Sequence, residues 1–185
     1  MRAELIDYVD HWQAVKNAAM NTIGKEAGKY PSSGWKRNIL LAEHSPIRLL
    51  VFTVRLTDLP YWVSVHLTRH KIGVEHFVST QRTDRTGVSR EELPQGALVN
   101  HTMVINAQAL INISRKRLCN QASPETRKAW YAVIDAIREK EPELASVCVK
   151  ECFYRGFCPE MVSCGYYANF GRAHDESGKT EQHDG

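Results

Sequence analysis

Apolar side chains recur three or four residues apart in several stretches of the first half of the chain, the spacing at which they share one face of an α-helix. The first stretch covers residues 10–23 and the second covers residues 35–42. The third covers residues 61–69 and would carry Arg69 and His70 at its C-terminal end. The pattern therefore predicts three short amphipathic helices before residue 71.

The second half of the chain repeats this spacing over two longer stretches, residues 98–118 and a stretch that begins at Ser123-Pro124 and ends at Pro142. A serine followed by proline is a favourable N-cap and first-turn pair. An arginine on a largely apolar helix face indicates an anion nearby, because a buried charge needs a partner. The face predicted for the first of these helices comprises Val99, Met103, Asn106, Leu110, Ile113 and Arg117.

Strand signals are fewer. Residues 49–56 are rich in β-branched and apolar side chains, which predicts a strand, and residues 57–60 are typical of a turn. Residues 77–79 fit either a second strand or an extended loop, and a further helical region begins at residues 90–94. The sequence therefore predicts an α/β or α+β fold that is rich in helix and has a small sheet.

The composition is that of a globular protein, with 185 residues, 43% of them hydrophobic and 24% charged. These values exclude a disordered chain, a fibrous repeat and a bare coiled coil. We expect one domain over residues 1–170 and a mobile polar tail over residues 171–185. No apolar run reaches the length of about 18 residues that a membrane helix needs, and the first residues lack a secretory signal. We therefore expect a cytoplasmic protein without a membrane partner.

The net charge is only +3, from 24 basic and 21 acidic residues, and it is too small to predict a nucleic-acid partner. The basic residues nevertheless concentrate between residues 69 and 90, among serines, threonines and glycines. Such a stretch suits small anions such as phosphate groups, and a solvated cationic loop is the alternative. The basic and histidine side chains are Arg69, His70, Lys71, His76, Arg82, Arg85 and Arg90.

Five cysteines are present, and Cys119 stands apart from the others. A cysteine cluster in a cytosolic protein indicates a metal site or buried thiols before it indicates disulfides. The spacing lacks the paired Cys-x-x-Cys arrangement of zinc sites, so ordinary packing stays open beside a metal site. The candidate metal ligands are Cys148, Cys152, Cys158 and Cys164.

The basic stretch contains a specific motif. Arg69-His70-Lys71, followed after seven residues by Ser79, resembles the signature Arg-His-Arg-x7-Ser of the flavin-dependent thymidylate synthases. Upstream, His44-Ser45-Pro46 precedes the strand residues 52–54 and the helix after Pro60. This order is similar to that of the same family, in which His-Thr/Ser-Pro, a strand and a helix lead into the basic signature.

The similarity continues downstream, so that it covers residues 35–138. Arg90 precedes Leu93-Pro94, and Asn106 and Arg117 follow at intervals like those of the family's second half. Residues 122–125 resemble the segment that comes after the family's helix. The resemblance implies the family's fold, flavin adenine dinucleotide (FAD) as cofactor and deoxyuridine monophosphate (dUMP) as substrate. It also implies methylation of dUMP to dTMP, with methylenetetrahydrofolate and NADPH as co-substrates.

The resemblance further implies a homotetramer in which copies of the chain share each site, since one subunit of this size has little surface to enclose FAD. It assigns no cysteine nucleophile, so Cys119 is expected to pack rather than react. The implied catalytic residues are Ser79 and Arg117. The implied cofactor contacts are Ser45, Arg69, His70, Lys71 and Asn106, and the implied substrate contacts are His66, Ser79, Gln81, Arg82, Arg90 and Arg117.

Several positions differ from the family pattern. His66 and Gln81 stand where the family has glutamine and arginine, and Gln121 stands where it has histidine. His76-Phe77 replaces an Asn-Glu pair, and the segment between residues 79 and 90 is short. Two alternatives therefore stay open. The chain could hydroxymethylate a deoxypyrimidine monophosphate, or it could be a non-catalytic nucleotide- or metal-binding protein on the same scaffold.

Overall fold

The structure, a computed structural model, describes residues 1–170. Its sheet has four antiparallel strands in the spatial order β1-β2-β4-β3, so β1 and β3 form the two edges. The expectation of a helix-rich fold with a small sheet is confirmed. The strands are β1 (Arg2–Tyr8), β2 (Val51–Pro60), β3 (Val74–Val78) and β4 (Leu98–Asn106).

The helices pack around this sheet and over its ends. Short 3₁₀ turns cover Ser45–Leu49 and Arg90–Glu92. The α-helices are α1 (Trp12–Asn21), α2 (Ser33–Leu41), α3 (Tyr61–Leu67), α4 (Thr83–Thr86), α5 (Ala107–Arg117), α6 (Pro124–Arg138), α7 (Pro142–Val147) and α8 (Glu151–Arg155).

One hydrophobic core joins the sheet to helices α5 and α6. Phe52 and Met103 point into it from the two central strands, and Trp130 enters it from α6, all without exposed surface. The indole Nε1 of Trp130 donates a hydrogen bond of 2.8 Å to Ser114 Oγ on α5. Because a buried indole N–H needs an acceptor, this bond fixes the two helices relative to each other.

The predicted long helix over residues 98–118 is wrong in its first half. Leu98–Asn106 is the strand β4, and the helix α5 begins only at Ala107. The side chains of Val99 and Met103 are buried in β4, and a spacing of four is compatible with both the helical and the strand period. Asn106 is the N-cap of α5, because its Oδ1 accepts a hydrogen bond from Ala109 N.

Two smaller expectations also need correction, and one strand was not predicted. Residues 57–60 do not form a turn but continue β2. A β-bulge between Leu56 and Leu59 shifts the register, and Asp58 adopts a φ of 54° there. Pro142 begins α7, whereas α6 ends at Arg138. Strand β1 was not assigned from the pattern at all. The helices expected at residues 10–23, 35–42 and 61–69 are confirmed: the first and third are slightly shorter than predicted, and the second is shifted to Ser33–Leu41.

Among residues 1–170, no helix is long and apolar enough to cross a membrane. The polar tail expected over residues 171–185 lies outside the described residues.

Candidate functional site

The basic signature meets the end of α5 in a compact group that we call the arginine cluster: His66, Arg69, His70, Arg117 and Thr126. Helix α3 ends at Leu67, so the chain enters the signature directly after it. Arg117, in the last turn of α5, donates from Nε to His70 Nε2 over 2.8 Å and from Nη2 to the His66 carbonyl over 2.7 Å. The predicted cofactor residue His70 and the predicted substrate residue Arg117 are therefore in direct contact.

Helix α6 closes the arginine cluster from the other side. His66 Nδ1 lies 3.0 Å from Thr126 Oγ1, in the first turn of α6. Ser123, the N-cap of that helix, donates its hydroxyl to the same Thr126 oxygen over 2.9 Å. His66 is thus held within the fold by α6, and its ring takes part in binding the helices together.

The arginine cluster carries positive charge without a carboxylate partner. In the described part of the chain, no ion pair involves Arg69 or Arg117. Burial, and then the charge of Arg69, lowers the pKa of Arg117. Burial, followed by the charge of Arg117, lowers the pKa of His70 to about 4. His70 is therefore neutral at pH 7, and its Nε2 accepts the hydrogen bond from Arg117 Nε. An uncompensated arginine pair of this kind suits an anion.

Asn106 lies beside Gly73, a position within the signature. Its backbone N–H donates to the Gly73 carbonyl over 3.0 Å, while its side chain caps α5. Gly73 has a φ of +73°, and a Cβ added there would lie 2.6 Å from Asn106 Nδ2. Only glycine suits this position, because a side chain would be both strained and in collision. Asn106 is therefore close to the signature and lies at the N-cap of α5.

Four of the predicted substrate residues line a second site, which we call the serine pocket. It has a volume of about 210 Å³ and lies where β3 ends and the 3₁₀ turn at residues 90–92 begins. The short helix α4 lies between Ser79 and Arg90 in the chain, and both residues line the pocket. Its lining residues are Tyr61, Val78, Ser79, Thr80, Gln81, Arg82 and Arg90.

Hydrogen bonding within the serine pocket distinguishes its polar groups. Ser79 Oγ accepts from Asn100 N over 3.0 Å, so the Ser79 hydroxyl hydrogen remains available to a ligand. The Arg82 guanidinium donates two hydrogen bonds to the Asp84 carboxylate, from Nε over 3.0 Å and from Nη2 over 2.8 Å. Arg90 is exposed, and its guanidinium forms no ion pair within residues 1–170. Arg90 is therefore the better placed of the two arginines to bind an anion.

A third site, which we call the apolar pocket, has a volume of about 420 Å³ and contains Ser45. Trp35, Ile39 and Met20 give it apolar walls, and His44 adds a polar group. None of the signature residues lies in its lining. The cofactor residues predicted from the resemblance are thus divided between this pocket and the arginine cluster.

The cysteines do not form the predicted metal site. Across residues 1–170, no three His, Cys, Asp or Glu side chains lie together in a way that could hold a metal ion. Cys148 ends α7 inside the core, where burial raises the pKa of its thiol to about 12, and Cys152 is buried on α8. Cys164 is exposed in the following loop. The cysteines separate because the packing of α7 and α8 takes the first two inward.

His76, within the signature, pairs with His101, a residue that the sequence pattern did not single out. His101 is fully buried on β4, with Nδ1 3.0 Å from Ser64 Oγ and Nε2 2.9 Å from His76 Nδ1. His76 Nε2 in turn lies 2.7 Å from the His70 carbonyl. The available signal was a histidine among the alternating inward positions of residues 99–105, which the helical interpretation of that stretch concealed.

Comparisons with known proteins bear on the fold. No family model and no curated protein matches the chain. The solved structures include the flavin-dependent thymidylate synthase ThyX from Helicobacter pylori in complex with FAD and dUMP, which covers 81% of this chain and 100% of its own, with a TM-score of 0.63 and 15% identity. A second ThyX structure from H. pylori with FAD and dUMP has a TM-score of 0.63 and 17% sequence identity, and the match covers 81% of this chain and 99% of that one.

A related structure is the UMP/dUMP methylase PolB from Streptomyces cacaoi, bound with 5-Br dUMP. It has a TM-score of 0.62 and 16% identity, and the match covers 84% of this chain and 94% of that chain. These similarities extend over most of the described residues. The chain therefore has the fold of the flavin-dependent thymidylate synthases, in a divergent sequence.

Proposed function

We propose that this chain is a flavin-dependent enzyme that methylates dUMP to dTMP with methylenetetrahydrofolate and NADPH. The observation that carries the proposal is the joint assembly of the serine pocket and of the uncompensated Arg69–Arg117 pair from residues far apart in sequence. Structures of the same fold, from H. pylori and S. cacaoi, hold dUMP or 5-Br dUMP, which supports a deoxypyrimidine nucleotide as substrate.

The substrate has two chemically different parts, and the two basic sites match its anionic part. A phosphate dianion takes permanently charged, bidentate donors, which Arg90 and Arg117 provide. Ser79 offers one further hydroxyl donor, since its oxygen already accepts from Asn100 N. In this proposal Ser79 and Arg117 orient the nucleotide for reaction, and Gln81 adds an amide at the wall of the serine pocket.

FAD fits two features of the chain. The apolar pocket offers aromatic and aliphatic walls around Ser45 for a flat ring system, and its volume lies within the range usual for ligand sites. Arg69 and Lys71 offer cations for the diphosphate, and Asn106 contacts Gly73 two residues after Lys71. When bound, FAD supplies the redox chemistry. The protein residues hold and orient the two ligands and keep His70 neutral.

We further propose that two copies of the chain form each complete site within a homo-oligomer, a tetramer in the simplest case. A volume of about 210 Å³ for the serine pocket is below the usual range of roughly 300–1,000 Å³ for ligand sites. Arg117 does not line that pocket. A second copy could place its arginine cluster against the serine pocket and so unite Arg90 with Arg117 of the other subunit.

The first test is a spectrum and an activity assay of the purified protein. We expect flavin absorbance, or a spectral shift on titration with FAD, and formation of dTMP from dUMP, methylenetetrahydrofolate and NADPH. Mass analysis of the product separates methylation from hydroxymethylation. A protein that binds neither FAD nor dUMP would contradict the proposal, whereas a hydroxymethylated product would correct only the reaction.

A second test addresses the shared site. Arg90→Ala and Arg117→Ala subunits, each inactive alone, are co-expressed with different tags and purified as mixed oligomers. In random mixed oligomers, about a quarter of the sites would receive an intact Arg90 from one subunit and an intact Arg117 from another. Recovery of activity toward that fraction supports sharing. Mixed oligomers as inactive as the two parents would contradict it.

A further inference from the structure

A continuous row of hydrogen bonds leads from the interior of the fold to the backbone of the basic signature. It begins at Ser64, which is 1% exposed on α3, and passes through the fully buried ring of His101. It then passes through the ring of His76 and ends on the carbonyl oxygen of His70. We call these four residues the histidine relay.

Strand pairing explains why the two rings meet. His101 stands opposite Val78 in the β3–β4 register, and His76 stands opposite Met103. The two histidines are thus diagonal neighbours on the same face of the sheet, with ring centroids 5.1 Å apart. Glu75 and Phe77, on either side of His76, are exposed. The position of His76 is therefore set by the sheet and not by the signature loop.

The end of the histidine relay fixes its direction. A carbonyl oxygen only accepts, so His76 Nε2 must carry a hydrogen and donate to His70 O. In the neutral ring His76 Nδ1 then accepts from His101 Nε2, and His101 Nδ1 accepts from the Ser64 hydroxyl. Burial, followed by the charge interaction with His76, lowers the pKa of His101 to about 4, which agrees with a neutral ring.

We propose that His76 is a positioning residue, which holds the backbone of the signature through His70 and is itself oriented by His101 and Ser64. His70 O is bound by His76 and His70 Nε2 by Arg117, so this one residue is tied to β3 and to α5 at the same time. Because the backbone and the side chain of His70 are both held, the directions in which the neighbouring Arg69 and Lys71 project are set as well. The functional consequence rests on the proposed function, in which these side chains bind FAD.

The test uses substitutions that keep different halves of the His76 ring. In His76→Gln, the side-chain amide reaches the position of Nε2 and can still donate to His70 O. In His76→Asn, the shorter amide reaches only the position of Nδ1, so it can meet His101 but not His70. Glu75→Gln, an exposed neighbour on the other face of β3, is the matched control.

We expect His76→Asn to weaken FAD binding by about three- to tenfold, the loss that follows from one neutral hydrogen bond, while His76→Gln and Glu75→Gln stay within about twofold of the wild type. Ser64→Ala is expected to act in the same direction with a smaller effect, because it leaves His101 Nδ1 without its donor. Melting temperatures of the two His76 variants show whether both are folded. Equal FAD affinity in folded His76→Asn and His76→Gln would overturn the proposal.

Hydrogen exchange separates this inference from the proposed function. The His70 amide donates to Leu67 O over 3.1 Å, so its exchange rate reports the order of the signature without any ligand. We expect faster exchange at residues 69–73 in His76→Asn than in His76→Gln. If the wild type binds no FAD, the proposed function fails, and this difference alone upholds the positioning role. If exchange is also equal in the two variants, the positioning role fails.

Discussion

The arginine cluster and the serine pocket each contain two arginines beside hydroxyl side chains, but they differ in how far the fold has organised them. Arg117 makes two hydrogen bonds, to His70 Nε2 and to the His66 carbonyl. Arg90 is exposed, and within residues 1–170 only its backbone forms hydrogen bonds: its N–H donates to Thr83 Oγ1 over 3.1 Å and its carbonyl accepts from Leu93 N over 3.3 Å. One arginine is thus oriented before a ligand arrives, and the other is not.

This difference follows from the elements that carry the two sites. The arginine cluster lies where α3, α5 and α6 meet the core, so helix ends determine its geometry. The serine pocket is built from the end of an edge strand and two short turns. Preorganised donors bind with a smaller loss of conformational entropy. We therefore expect the arginine cluster to contribute more to affinity, and the serine pocket to be completed by a further surface.

The largest expected effect comes from disturbing the turn beside the arginine cluster. Gly73→Ala combines a φ of +73° with a contact of 2.6 Å to Asn106 Nδ2, and should lower the free energy of unfolding by about 2–4 kcal/mol. Gly87→Ala is the control, because Gly87 has a φ of +72° in open space near the serine pocket. Urea unfolding should show a loss of only about 1 kcal/mol for it. Equal losses would show that the contact with Asn106 does not matter.

Arg117→Ala tests the preorganised site directly. We expect the affinity for dUMP to fall by about 1.5–3 kcal/mol, the range for a lost hydrogen bond to a charged group. Isothermal titration with dUMP measures it, and Arg138→Ala is the control, since Arg138 pairs with Asp135 on the exposed side of α6. An unchanged dissociation constant for dUMP in Arg117→Ala would remove the arginine cluster from the substrate site.

Acid should weaken the arginine cluster. The pKa of His70 in the folded protein is about 4, below the ordinary 6.5, so the unfolded chain takes up a proton first as pH falls. The stability that the neutral ring contributes is full above about pH 6.5 and is lost between pH 6.5 and 4. Between pH 7 and 5, His70→Gln should lose about 1–2 kcal/mol less stability than the wild type, the lower value applying if solvent screens the half-buried ring. Ser79→Ala should keep the wild-type acid dependence, and a His70→Gln curve parallel to wild type would refute the assignment.

The smallest effect is expected at Ser79. Its hydroxyl adds one neutral or charge-assisted donor to a ligand, so Ser79→Ala should weaken dUMP binding by about 0.5–1.5 kcal/mol. Ser89→Ala, at the N-cap of the adjacent 3₁₀ turn where it forms no side-chain cap bond, serves as the control. Titration of both variants with dUMP ranks the two sites. A Ser79 loss larger than that of Arg117→Ala would reverse the comparison.

Much of the local structure followed from the sequence, because short-range physics specifies it. The pair Ser123-Pro124 began α6 as expected, and Ser123 Oγ accepts from Thr126 N over 3.3 Å. The helix predicted at residues 61–69 brought His70 to its C-terminal end. Caps and amphipathic turns involve residues within one helical turn of each other, so their partners are visible in the sequence.

The residue pattern alone indicated the helix-rich fold with a small sheet, the basic signature and the residue types available for an anion. The packing of distant segments makes residues 98–106 a strand, brings Arg117 against His70 at a sequence separation of 47, and joins His101 to His76. An apolar spacing of four fits a helix and a strand equally well. Contacts between distant segments depend on how the sheet and helices pack, which no local pattern encodes.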